Sequence, residues 1–327
     1  MTRRPALGCR QKRGCRLFPC FKHHTGFYLQ VTTSSFKPTI MATTSSQMTP
    51  DFEVKFLLDS SQVLSPSTNK PTDSLQSAFS LAGKTIKMNV QFLDTPAKEL
   101  YNAGWSPRIR KVEGEAGWEL TYKKRYPIGD DGNPSTDDIA ETLLIALGDG
   151  FDASDSKYDA QVEWGFVKQT LSISRKKKVK KDSVDKKAMD LPDEEEARKL
   201  LIGEVPDKFS NWQFEAWGTG LLKDGVVFGP VYAKRYEGKW SGVDVDVEVW
   251  PIKKDGKTEE LENVAEVSFK SDSAIEAKEK HTALGEFLKE KGWLVPRDSL
   301  KTQLIMERYG PVEEVEEGAS GPSGYDV

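Results

Sequence analysis

Histidine and cysteine are nearly missing from this chain. Of its 327 residues, three are cysteines and three are histidines. Cys9, Cys15, Cys20, His23 and His24 all fall near the N-terminus, and from residue 51 onward only His281 remains. A cysteine nucleophile, a Cys/His zinc site, a disulfide framework and a Ser-His-Asp triad are thereby excluded, or nearly so, from the body of the protein. Long apolar runs are missing too. The longest, at 143–147 and 226–228, fall far short of the ~20 residues a membrane span needs, so no membrane partner is expected. Chemistry in this chain must run on carboxylates, cations, hydroxyls or a bound metal.

Acid is absent from the first 50 residues. They carry eight basic side chains (Arg3, Arg4, Arg10, Lys12, Arg13, Arg16, Lys22, Lys37) and many Ser and Thr. With those eight set aside, residues 51–327 hold 39 basic and 51 acidic side chains, a net of −12. Residues 1–50 read as a disordered or targeting extension. Mitochondrial targeting by residues 1–40 and a translation start at Met41 or Met48 are the alternatives to plain disorder in a cytoplasmic protein.

From Asp51 onward, period-2 patterning dominates. Strands are expected at 51–58, 84–93, 107–112, 118–126, 161–167, 170–177, 226–240, 243–252 and 264–270. Helices are fewer: 136–147 behind a Ser135 cap, 193–202, and 274–291. The last opens on the Ser273/Glu276 capping-box spacing and closes at Gly292. Residues 311–327 form an acidic, Gly/Ser-rich tail with the composition of a disordered segment. Nothing divides residues 51–310, which read as one domain with an insertion at about 178–214.

The informative feature is what alternates with the apolar residues. Asp51, Glu53 and Lys55 share one strand face, and Arg108 and Arg110 share another. Glu119, Thr121, Lys123 and Arg125 alternate on the next strand, as do Asp244, Asp246 and Glu248 further on, and Glu266 and Lys270 on the last. For one strand alone, a charged face means water on one side. Across many strands of both signs, a closed barrel accommodates the pattern better. Its charged faces would line a lumen, and its apolar faces would pack beneath helices. Arginines and lysines there suit phosphate oxygens, and carboxylates suit Mg²⁺ or Mn²⁺.

At this point the residues resemble a known family, the CYTH superfamily of triphosphate tunnel metalloenzymes. Asp51-x-Glu53-x-Lys55 is similar to its ExExK signature. Gln91-Phe-Leu-Asp94-Thr95, followed by Leu100, Gly104 and Arg108-Ile-Arg110, resembles its YFDT…L…G…LRIR stretch. Trp118-Glu-Leu-Thr-Tyr-Lys123, Lys234-Arg235, Asp246-Val-Glu248, Glu266 and, more loosely, Lys301 continue the likeness in order. The first acid is Asp51 instead of glutamate, one methylene shorter. Ser268 stands where a second carboxylate often follows Glu266, which leaves the number of metals open.

The resemblance implies an α+β, β-dominated fold: a closed antiparallel β-barrel of about eight strands with flanking helices. It implies a hydrolase acting on a triphosphate-bearing substrate, whether inorganic tripolyphosphate, a nucleoside triphosphate or thiamine triphosphate. Glu53, Lys55, Arg108 and Arg110 would be catalytic, and Lys55, Lys87, Arg108, Arg110, Lys123, Arg235 and Lys301 would hold the phosphates. Asp51, Glu53, Asp246, Glu248 and Glu266 would hold Mg²⁺ or Mn²⁺. A class IV-type adenylate cyclase and a non-catalytic polyphosphate-binding module are the alternatives.

Other motifs read as structural. The basic run 175–181 is followed at once by acids and reads as a self-compensating loop; no nucleic-acid partner is expected. Residues 149–159 lack calcium-loop spacing. The eight tryptophans, without regular spacing, and His281, within a helix, are assigned to the packing.

Overall fold

The structure is a computed structural model describing residues 46–129, 136–180, 187–298 and 301–310. The N-terminal extension, the Ser135 cap, part of the insertion and the acidic tail lie outside the described residues.

Nine strands close a barrel: β1 (Asp51–Leu58), β2 (Thr85–Asp94), β3 (Trp105–Val112), β4 (Trp118–Ile128), β5 (Asp159–Trp164), β6 (Gln169–Val179), β7 (Val226–Trp240), β8 (Val243–Lys253) and β9 (Leu261–Ser271). Their order around the wall is β1-β5-β6-β4-β3-β2-β7-β8-β9, and β9 pairs back onto β1. All pairings are antiparallel except β1 with β5, so the barrel is mixed and has one strand more than about eight. The two-residue β10 (Leu294–Val295) adds to β1 beyond the end of β5. Strand β5 stops at Trp164, short of the expected 167, because residues 165–168 turn back to start β6.

The outer face carries the main core. Phe52, Val54, Phe56 and Leu58 point away from the lumen, and α3, defined below, covers that side with Ala277, Leu284 and Leu288. Four longer helices are α1 (Thr136–Gly148), α2 (Glu194–Gly203), α3 (Ala274–Glu290) and α4 (Lys301–Arg308). Ser273 caps α3 by accepting from the Glu276 N–H at 3.3 Å, as its spacing predicts. Residues 189–212 pack on the outside wall. Asn89, Gln91 and Trp118 donate to the carbonyls of Met189, Pro192 and Asp190 at 2.9, 3.0 and 3.0 Å, and Trp105 stacks edge-on against Phe209 and Trp212.

One expectation about the interior is overturned. On β2 the apolar residues Met88, Val90 and Phe92 face inward, and they join Val231, Ala233, Trp250 and Ile252 in a second hydrophobic cluster. The cause is α4, which lies against β8 and β7 and seats Ile305 and Met306 in that cluster. The lumen therefore has an apolar part filled by α4 and a charged part left as cavity.

Candidate functional site

The charged part is a cavity of about 450 Å³. Alternation on six strands delivers its lining: Asp51, Glu53 and Lys55 from β1, Arg108 and Arg110 from β3, Lys123 from β4, Arg235 from β7, Asp246 and Glu248 from β8, and Glu266 from β9. Lys301, at the first turn of α4, reaches in from inside the barrel. Lys87 does not join them. It sits on the outer parity of β2, more than half exposed, and pairs with Glu113 at 2.8 Å. Smaller cavities adjoin the lumen on either side. One of about 190 Å³ shares Arg110 and Arg235, and one of about 250 Å³ shares Lys55, Arg125, Glu163 and Lys301.

Three ion clusters organise the lumen. In the first, Glu163 accepts from Lys55 at 2.6 Å, Lys123 at 2.7 Å and Ser172 at 2.6 Å. Burial opposes its charge, but Lys123 and Lys55 hold its carboxyl well below the ordinary range. Burial pushes Lys123 down to about 8, with Glu163 opposing and Arg125 assisting. Lys55 stays above its ordinary value because Glu163, Glu53 and Glu266 outweigh its burial. In the second cluster, Glu119 takes Arg110 at 2.7 Å and Arg108 at 3.5 Å. Burial and the adjacent Arg110 lower the Arg108 guanidinium to about 10. The Nε atoms of Arg108 and Arg110 are buried and have no acceptor among the described residues.

The third cluster centres on Glu248. Its Oε1 accepts from Arg235 Nε at 3.0 Å and Nη2 at 2.7 Å; its Oε2 accepts from Lys301 at 2.8 Å and Trp250 Nε1 at 2.9 Å. Lys301 also donates to Glu266 Oε1 at 2.8 Å, and Arg235 lies 3.4 Å from Asp246. Burial would raise the Glu248 carboxyl, yet Lys301 and Arg235 hold it far below the usual range.

The five carboxylates expected to hold a divalent ion do not form a cage for one in this arrangement. Among the described residues no group of three or more His, Cys, Asp or Glu is placed to share a cation. Glu53 lies opposite Lys270 across the β1–β9 pair, Asp246 faces Arg235, and Glu248 and Glu266 grip Lys301.

Glu163 and Trp250 are site residues that the sequence pattern did not single out, and Glu119 stands on a charged face that the pattern marked without assigning it a role. Glu163 was legible as the acid alternating with Gln161 on β5. Trp250, grouped with structural tryptophans, carries the same parity as Asp246 and Glu248, and that parity was the available signal. The run 175–181 is not a loop where described: residues 175–179 belong to β6, and Lys176, Lys177 and Lys178 pair with Asp159, Glu204 and Glu115 instead of the acids that follow the run. His281 stacks on Trp164, with Nε2 2.8 Å from the Gly165 carbonyl oxygen.

No family model and no curated protein matches this chain. Solved structures give low likenesses. A candidate adenylyl cyclase from Hippeastrum, described as having a dominant triphosphatase activity, is 15% identical over 77% of this chain and 93% of its own, with a TM-score of 0.40. A candidate adenylate cyclase from Bacillus halodurans is 12% identical over 78% and 96%, with a TM-score of 0.41. A Pyrococcus horikoshii protein is 12% identical over 77% and 98%, with a TM-score of 0.40. No helix among the described residues is long and apolar enough to cross a membrane.

Proposed function

We propose that this protein is a tunnel phosphohydrolase acting on a small triphosphate-bearing substrate. One observation carries the reading: Lys55, Arg108, Arg110, Lys123, Arg235 and Lys301, from five different elements, line a single cavity inside a closed barrel. Six cations converging on one lumen suit a chain of phosphates. Held among these groups, the terminal phosphoryl group would be attacked by water. The bond to the bridging oxygen would break, and the charge on the departing phosphate would fall among fixed cations. Mg²⁺ or Mn²⁺, if brought in with the triphosphate, would supply further charge neutralisation.

The test is phosphate release from tripolyphosphate, ATP and thiamine triphosphate with Mg²⁺ and Mn²⁺. Arg108→Ala and Glu248→Gln are each expected to lower turnover by ~10²-fold, the scale of losing one preorganised electrostatic group. Turnover near the wild-type rate in both variants refutes the assignment. The absence of a three-carboxylate group among the described residues favours a second reading, a non-catalytic polyphosphate-binding module. Chelation separates them: a binder retains polyphosphate in EDTA and shows no turnover before or after its addition.

A further inference from the structure

The disagreement between the expected metal ligands and their present partners centres on Lys301. A carboxylate offers about four lone-pair positions. Those of Glu248 are filled by Arg235 Nε and Nη2 on one oxygen, and by Lys301 and Trp250 Nε1 on the other. Glu248 and Glu266 are register partners on β8 and β9, and the Lys301 ammonium bridges them at 2.8 Å on each side. It also lies 4.8 Å from the Trp250 ring centroid. Both carboxylates are buried. The backbone behind this lysine is anchored: Ile305 and Met306 fill the apolar part of the barrel, and Arg308 donates to Glu262 at 2.6 Å and to the Lys253 carbonyl at 2.7 Å.

We propose that Lys301 is the resident cation of this site: its ammonium holds the position between Glu248 and Glu266 that a divalent ion would take, and it yields that position only when a triphosphate offers the lysine new anionic partners. Two cations cannot share this buried pair without strong repulsion. Free metal is therefore kept out of the empty tunnel and enters with the phosphate chain. The tight binding of a bare divalent ion, which would leave the lumen charged without substrate, is avoided. This inference rests on the phosphohydrolase reading above for the triphosphate that displaces Lys301.

The experiment titrates Mn²⁺ alone, without any phosphate compound, into full-length wild type, Lys301→Met and Lys301→Met/Glu248→Gln by calorimetry. Thermal melts check that each variant is folded. Lys301→Met is expected to bind Mn²⁺ at least about tenfold more tightly than wild type, a change on the scale of one buried charge pair, and the double variant is expected to lose that gain. Equal Mn²⁺ affinity in wild type and Lys301→Met overturns the proposal. If Lys301→Met fails to fold, wild type and Glu248→Gln decide it. Glu248-dependent Mn²⁺ binding by the phosphate-free wild type overturns the proposal, and such binding only after tripolyphosphate is added supports it. A separate titration of tripolyphosphate into wild type in EDTA tests the functional reading. No binding there sinks that reading, whatever the Mn²⁺ result.

Discussion

Replacing Glu163 by glutamine tests the balance of charge in the lumen most directly. The carboxylate lies 2.6 and 2.7 Å from two lysines that are themselves largely enclosed, and Glu163 is itself buried. With an effective dielectric of about 20, each contact is worth roughly 6 kcal/mol before desolvation is counted. The net cost of removing one partner from a buried ion cluster is about 3–5 kcal/mol, because Lys55 and Lys123 are left facing each other with no anion between them. In a body of this size that corresponds to a melting temperature lower by about 6–20 °C. Thermal unfolding followed by circular dichroism measures it. The loss is expected to shrink in acid. Glu163 has a lowered folded pKa, so its contribution is complete above the ordinary carboxylate range and is lost as pH falls through the lowered value. Tripolyphosphate in EDTA is expected to raise the melting temperature of the variant more than that of wild type, because phosphate oxygens replace the missing carboxylate. A destabilisation under about 1 kcal/mol, the range of exposed pairs, would refute the claim that Glu163 neutralises two enclosed lysines.

Further outcomes follow from other parts of the wall. Lys123 titrates near 8, so tripolyphosphate affinity in the absence of metal should fall by up to about tenfold per pH unit above that value. Lys123→Met should remove this component of the slope in a calorimetric series from pH 7 to 10. Stability moves the other way: the penalty for keeping Lys123 charged is present below about 8 and is relieved toward the ordinary lysine pKa, so wild type should gain on Lys123→Met as pH rises. Gly117 sits at φ +76°, and a Cβ there would collide with the Val179 carbonyl. Gly117→Ala should therefore cost about 2–3 kcal/mol in urea denaturation, and an unchanged midpoint would contradict the β4–β6 geometry at that turn.

Strand by strand, the barrel was open to reading from the alternation of residues. Asp51–Leu58 and Val226–Trp240 form at the boundaries their periodicity predicts, and the Ser273/Glu276 spacing locates the start of α3. Charge alternation also indicated which face of β1, β3, β4 and β8 would turn inward. Strand β2 defeated that rule. The family resemblance implied an inward basic residue there, Lys87, yet its parity faces outward, where Asn89 and Gln91 bond to the Met189 and Pro192 carbonyls. No local signal on β2 reveals this, because the inward preference of Met88, Val90 and Phe92 depends on α4 arriving from more than 200 residues later in the chain.

What the sequence determined alone is chemical type. Without cysteine and with one histidine in its body, the chain can build a polar site only from hard oxygen ligands, lysine and arginine, and alternation places these on strand faces. Which charges meet is a tertiary matter. The ring of nine strands puts Glu163 between Lys55 and Lys123, and the inserted α4 puts Lys301 between Glu248 and Glu266. Pairing energies in a buried lumen depend on separations of a few ångströms between residues distant in sequence. Closure of the barrel sets those separations, so they are decided only in the folded molecule.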